Sequence, residues 1–266
     1  EKLQSLVLNG ENRIFIKAAD LSGASSEIIQ LPDTSSTWFV KKPKGEVLIF
    51  DDYKGTATTD VQITQFYNQV FSEMNGGVLA EKFDVFDLAK NSVAFESVTL
   101  LETLKLFKYV FWYSAADPRL DLLNIVTEKY NQAGGKIAFS MTFQDSTGEY
   151  PYDISSLQGF LPIDAISAPL GVFGTILPGA EVRPAATNDF PILRTVGSIQ
   201  YVRSLTENNI IAENIYDLFD RDGIRLGNVA FRTRTKNLFF IGMPLNQCNG
   251  GQANVSVLLT KIFFED

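Results

Sequence analysis

The chain has 266 residues, 45% apolar and 20% charged, which suits one large folded domain, or a domain plus a fragment, around a real core. Its net charge of −8 would repel phosphate backbones and argues against nucleic acid as a partner. It contains no histidine and one cysteine, Cys248, which excludes a Ser–His–Asp triad, a Cys–His pair, a His-containing or thiolate zinc site and an internal disulfide.

The chain opens on a β pattern. NRIFIKAADLSGASSEIIQL alternates at Ile14 and Ile16, turns at Asp20 to Gly23 and resumes at Ile28, Ile29 and Leu31, which predicts a hairpin with a polar tip. PDTSSTWFVKKPKG, rich in Pro, Ser, Thr and Lys, reads as a connector. Two strands cannot bury a core alone. Residues 1–42 are therefore expected to be a β-hairpin segment with a linker, and residues 43–266 a separate α/β domain.

After Gly45 the pattern changes. EVLIFDDY (46–53) is a continuous apolar run ending in two aspartates, as in a strand buried on both faces of a parallel sheet. Residues 60–74 place Val61, Ile63, Phe66, Val70 and Phe71 at helical spacing behind Asp60 as N-cap, and Asn-Gly-Gly stops the helix. KFDVFDL (82–88) predicts a strand, TLLETLKLF (99–107) a helix and KYVFWYSA (108–115) a strand. RLDLLNIVTEKYNQAGG (119–135) carries Leu122, Leu123, Val126 and Tyr130 on one stripe, and KIAFSMTF follows as a fourth strand. This alternation predicts an α/β three-layer sandwich with a mostly parallel sheet, with antiparallel strands near its C-terminal end. Residues of about 150–195, rich in Pro and Gly, read as an irregular insertion with short helical pieces. GSIQYVRSL (197–205) returns to β, and IYDLFDRDG (215–223) reads as a short turn or hairpin. NVAFRTRT (228–235) and NLFFIGMPL (237–245) read as strands, and a closing helix buries Val255, Leu258, Leu259 and Ile262. No run of about 18 apolar residues occurs, so no transmembrane segment is expected.

Ligands of open parallel sheets bind beyond the carboxyl ends of the strands. Here those ends carry Asp51-Asp52-Tyr53, then Asp87, then Ser114 with Asp117, then Ser140 with Thr142; the loop after NLFFIGMPL adds Asn246, Gln247 and Cys248. The ligand-binding candidates are Asp52, Tyr53, Ser114, Ser140, Asn246 and Gln247. Asp51 and Asp52 could hold Mg²⁺ or Ca²⁺ through their oxygens, or split acid and base roles; the alternative is one turn-capping and one solvated carboxylate. No other cofactor is expected. Ser140 stands where a nucleophile could, but Ala138-Phe139 and Met141-Thr142 flank it where a nucleophile elbow wants glycine, and no activating base is visible. A serine bonded to backbone at a strand end is the other reading. Cys248, ahead of the last helix, is either a thiol acidified by the helix N-terminus or a structural one. Tyr53, Trp112, Tyr113, Tyr150 and Tyr152 could form a sugar-stacking surface near the strand ends.

The succession EVLIFDDY, KYVFWYSA, GGKIAFSMTF and NLFFIGMPLNQ…ANVSVLLTKIF resembles the class I glutamine amidotransferase-like fold, a flavodoxin-like α/β architecture. Active members of that family carry a Cys in a G-x-C-x-G elbow after the strand matched here by KIAFSM, with a later His and Glu. This chain has Ser140 at that place, no flanking glycines and no His. NRIFIKAADLSGASSEIIQL is similar to the last two strands of a fibronectin type III or Ig-like module. Together the resemblances imply a secreted, periplasmic or surface bacterial protein with adjacent domains in the same parent chain. They imply a non-catalytic module that binds an unknown small molecule, carbohydrate or protein. The alternative is a carboxylate-dependent hydrolase, acting for example on carbohydrate, through Asp51, Asp52 and Asp117, two of which would need to stand roughly 5–10 Å apart across a cleft.

Overall fold

A computed structural model describes residues 6–33, 38–90, 96–144, 154–185, 189–248 and 252–265. The chain divides into two compact units, Glu1–Lys44 and Gly45–Asp266.

The first unit holds four short strands: β1 (Gly10–Asn12), β2 (Ile14–Ile16), β3 (Ile29–Leu31) and β4 (Trp38–Val40). The expected hairpin is β2 against β3, with Ile14 opposite Leu31 and Ile16 opposite Ile29. Asp20 closes its tip, where Oδ1 accepts from the backbone N–H groups of Ser22 and Ala24. The segment expected as a connector contains β4, which pairs antiparallel with β1. Trp38-Phe39-Val40 is an aromatic and β-branched triplet, and its fit to a pleated ladder outweighs the Pro and Ser around it.

The second unit runs in chain order through β5 (Val47–Asp52), α1 (Ala57–Gly77), β6 (Phe83–Asp87), α2 (Glu96–Leu104), β7 (Tyr109–Ser114), α3 (Leu120–Gln132) and β8 (Lys136–Ser140). It continues with α4 (Ile154–Gln158), β9 (Ile163–Pro169), β10 (Thr175–Ile176), β11 (Glu181–Pro184), β12 (Leu193–Arg194) and β13 (Ile199–Gln200). The last elements are β14 (Arg203–Glu207), β15 (Ala212–Phe219), β16 (Arg225–Thr233), β17 (Leu238–Ile241), a 3₁₀ turn at Leu245–Gln247, and α5 (Gln252–Phe264).

Nine strands form one mixed sheet in the order β12-β11-β15-β16-β17-β8-β7-β5-β6. The half from β17 to β6 is parallel. The half from β12 to β17 is antiparallel. The expectation of a mostly parallel sheet is thus corrected to an evenly mixed one. Counting only the parallel strands in chain order, β5, β6, β7, β8 and β17 lie as 2-1-3-4-5, so the order reverses between β5 and β7.

Strand periodicity explains the layers. Val47 and Ile49, Phe111 and Tyr113, Ala138, and Phe239 and Ile241 point to one face, where they join Tyr67, Val70 and Phe71 of α1 and Val255, Leu258 and Leu259 of α5. Leu48 and Phe50, Val110 and Trp112, Ile137 and Phe139, and Leu238 and Phe240 point to the other, against Leu100 and Leu104 of α2 and Leu122, Leu123 and Val126 of α3. The central positions of these strands, Val47–Phe50, Tyr109–Tyr113, Ile137–Phe139 and Leu238–Ile241, are apolar on both sides because both faces are covered.

Several local details differ from the sequence expectation. Helix α1 starts earlier than expected, and its N-cap is Thr56, whose side chain accepts from the N–H of Thr59, rather than Asp60. The Asn-Gly break is real, since Met74, Asn75 and Gly76 leave helical geometry. Thr56→Ala should lower the unfolding free energy by about 0.5–1 kcal/mol in a urea melt, because an exposed cap with a 3.4 Å hydrogen bond sits at the weak end of capping effects. An unchanged melt would mean that the cap bond is not made in solution.

The region expected as an irregular insertion is built differently. Among its described residues it holds α4 and four strands, two of which, β11 and β12, extend the large sheet. β10, β11 and β12 are too short for alternation to register, while the longer β9 lacks a clean alternation of buried and exposed positions and finds its partner, β14, far along the chain. IYDLFDRDG belongs to a long β15–β16 hairpin, whose tip is closed by Asp220 Oδ1 accepting from the N–H groups of Asp222 and Ile224. The stretch expected as one strand over residues 197–205 is two, β13 and β14, separated at Tyr201, which has a positive φ of 62°.

Candidate ligand site at the strand ends

The carboxyl ends of β5 and β7 flank the reversal of strand order, where two neighbouring connections leave in opposite directions and open a crevice. A cavity of about 350 Å³ lies there. Tyr53 follows β5, Tyr113 to Ala116 end β7 and follow it, Thr142 follows β8, and Pro244, Asn246 and Gln247 follow β17. Ile63 of α1 contributes from the first turns of that helix, and Thr175 with Ser198 to Tyr201 closes the far side. This far wall comes from β10 paired antiparallel with β13. A tight turn with Phe173 and Gly174 at positive φ, bonded between Val172 and Thr175, delivers Thr175 to it.

Four of the six ligand-binding candidates, Tyr53, Ser114, Asn246 and Gln247, line this cavity. Asp52 and Ser140 do not; they are buried beside the strand ends. Gln200, Tyr201, Ser198 and Thr175 were missed by the sequence reading, because nothing in the local pattern of residues 171–201 tells which strand end a short ribbon will cover.

Ser140 is fully buried. Its hydroxyl donates to the carbonyl of Met243 at 2.9 Å and accepts from the N–H of Leu245 at 3.0 Å. It therefore ties the end of β8 to the loop that presents Asn246 and Gln247, and both its donor and an acceptor site are occupied by backbone. Its sequence neighbours Phe139 and Met141 leave no glycine elbow, and the ionisable side chain bonded to it, the Tyr67 phenol, is held protonated by burial, which raises its pKa.

Asp51 and Asp52 are neighbours in a strand, so they point to opposite faces of the sheet. Asp51 faces α1: it accepts from the hydroxyls of Tyr113 and Thr64 and from the N–H of Tyr53. Burial raises its pKa, against the hydrogen bond from Tyr113. Asp52 faces α3: Oδ2 accepts from the backbone N–H of Arg119 at 2.9 Å and from Trp112 Nε1 at 3.3 Å. Its Oδ1 is buried with no hydrogen-bond partner among the described residues. Burial pushes its pKa up to about 6, and the Arg119 N–H only partly offsets that. Asp117 is exposed and pairs with Lys54 at 3.1 Å. Asp87 pairs with Lys90. The aspartates of the strand ends thus serve separate structural contacts, and none lines the cavity among the described residues.

No group of three or more acidic, His or Cys side chains placed to hold a metal ion occurs among the described residues. The pair Asp51 and Asp52, considered for Mg²⁺ or Ca²⁺, cannot easily share one ion from opposite faces of a strand. Cys248 is buried, and burial pushes its thiol up to about 12, the opposite of an acidified nucleophile. Trp112 is buried and stacked on Phe50 with ring centroids 3.8 Å apart, so of the proposed stacking residues Tyr53 and Tyr113 reach the cavity and Trp112 does not. Tyr150 and Tyr152 lie outside the described residues. A second cavity, of about 250 Å³, adjoins the first across Thr175 and is lined by Asp220, Arg221 and Asp222 with apolar neighbours; it touches none of the predicted site residues. No described helix is long and apolar enough to cross a membrane.

No protein-family model, curated protein or solved structure matches this chain.

Proposed function

We propose that this chain carries a non-catalytic, class I glutamine amidotransferase-like domain of an extracytoplasmic bacterial protein, and that it binds a small ligand in the crevice at the carboxyl ends of β5 and β7. The observation that carries the reading is the coincidence of that cavity with the reversal point of a 2-1-3-4-5 parallel order, the flavodoxin-like arrangement in which ligands sit at this crevice. The non-catalytic part rests on the chemistry around it. The chain has no histidine, the hydroxyl at the nucleophile position is held by backbone, and the thiol is buried with a raised pKa. Placement outside the cytoplasm, beside other domains of a parent chain, rests on the likeness of the β2–β3 hairpin to the end of a fibronectin type III module.

The carboxylate-dependent hydrolase gains no support from a cavity whose described lining holds no carboxylate. A thermal-shift screen of a neutral and charged metabolite library should yield hits that vanish in Asn246→Ala. Hits indifferent to that substitution would place binding elsewhere. Turnover of any hit, lost in Ser140→Ala or Asp52→Asn, would replace the binding module with an enzyme.

A further inference from the structure

The lining of the strand-end cavity has an unusual composition. Its residues are Tyr53, Tyr113 and Tyr201; the amides Gln200, Asn246 and Gln247; the hydroxyls Ser114, Thr142, Thr175 and Ser198; and a few small or apolar side chains. Among the described residues it includes no Lys, Arg, Asp or Glu. A net charge brought into this crevice would lose water without gaining a counter-charge, which is costly. The overall charge of −8 adds a field that disfavours anions such as phosphorylated ligands. Both facts select a neutral ligand.

The polar groups present select further. An amide offers two donors and a carbonyl acceptor, and a phenol or aliphatic hydroxyl both donates and accepts. Among the described residues, the side chains of Gln200, Asn246, Gln247 and Tyr201 and the Tyr53 hydroxyl make no hydrogen bond within the protein, so their capacity is unspent. Such a set matches a ligand that itself carries many groups of mixed donor and acceptor character. Aromatic faces beside those groups suit a ligand with an apolar C–H face between its hydroxyls. Tyr201 is held at φ 62°, a conformation costly for a bulky side chain, and it lines the crevice just after β13. A volume of about 350 Å³ is at the small end of ligand pockets, which run roughly 300–1,000 Å³.

We infer that the ligand of this crevice is a neutral carbohydrate, a mono- or disaccharide, gripped by Gln200, Asn246 and Gln247 and packed against Tyr53 and Tyr201. The inference rests on the ligand-site reading above and specifies its occupant. No bond is made or broken in the complex.

The test is calorimetric titration of the whole chain with a panel of neutral sugars: glucose, galactose, mannose, xylose, N-acetylglucosamine, maltose and cellobiose. Glucuronic acid and glucose 6-phosphate are the charged counterparts. At least one neutral sugar should bind, its charged counterpart should bind about tenfold more weakly or worse, and Gln200→Ala and Tyr201→Ala should each weaken it by about tenfold, the worth of one good contact. Gln200 is exposed, so its truncation tests the site without threatening the fold. Absence of binding across the neutral panel overturns the carbohydrate inference. So does equal or tighter binding of a charged counterpart; if that binding falls in Gln200→Ala, the ligand site itself still stands. Sugar binding that neither variant weakens overturns both the inference and the site.

Discussion

Ser140→Ala is expected to lower the unfolding free energy by about 1–3 kcal/mol and to abolish no reaction. The size follows from what alanine leaves behind: the N–H of Leu245 loses its acceptor and the carbonyl of Met243 loses a donor, at a position closed to water. The same bonds anchor the loop carrying Asn246 and Gln247, so ligand affinity should fall along with stability. Denaturant melts with wild type and variant, at one pH and salt, read the stability effect. A variant as stable as wild type, together with a lost hydrolytic activity, would restore Ser140 as a nucleophile and undo the structural account.

Asp52→Asn should produce the second large effect, visible as a change in pH dependence. Asp52 ionises near 3.8 in the unfolded chain and at about 6 in the folded one, because burial disfavours its charge. Between those values the folded protein holds a proton that the unfolded chain has released. Stability associated with this group is therefore fully present below about pH 3.8 and is lost as pH rises through about 6. Two units at about 1.4 kcal/mol each give a loss of about 3 kcal/mol. Burial of Asp51 acts in the same direction. Asparagine keeps an oxygen for the Arg119 N–H and the Trp112 indole and carries no charge. The difference between variant and wild type should thus shift in the variant's favour by about 3 kcal/mol from pH 3.5 to 7, measured by urea melts at several pH values. A difference that stays flat over this range would show that Asp52 is well solvated or paired when ionised.

The same residue shows where reading from sequence runs out. EVLIFDDY announces a strand buried on both faces, since it is apolar at every position until two aspartates stop it. The alternation of strand and helix up to Ser140 follows from equally local signals: helical stripes such as Leu122, Leu123 and Val126, and unbroken apolar runs such as YVFW. Paired aspartates also look alike in sequence whether they share a ligand or serve opposite faces. Only their partners, Tyr113 and Thr64 on one side and Trp112 and Arg119 on the other, decide between those states. Four cavity residues were legible because the rule for parallel strand ends locates them without side-chain detail: Tyr53, Ser114, Asn246 and Gln247.

The far wall was not legible. β10 to β13 are short, β9 to β13 are divided among separate ladders, and long-range partners set their pairing more than their own propensity does. By itself the sequence determined that the chain folds as α/β after Gly45, that histidine chemistry is absent, and that polar residues gather at the ends of its apolar strands. These are matters of composition and local periodicity. The tertiary structure alone decided that the antiparallel strands make up half of the large sheet, that Ser140 and Asp52 turn inward, and that Gln200 and Tyr201 close a crevice whose described lining carries no charge. Each of those depends on which distant segments meet, and the burial and hydrogen bonds that choose among such meetings do not exist until the chain has folded.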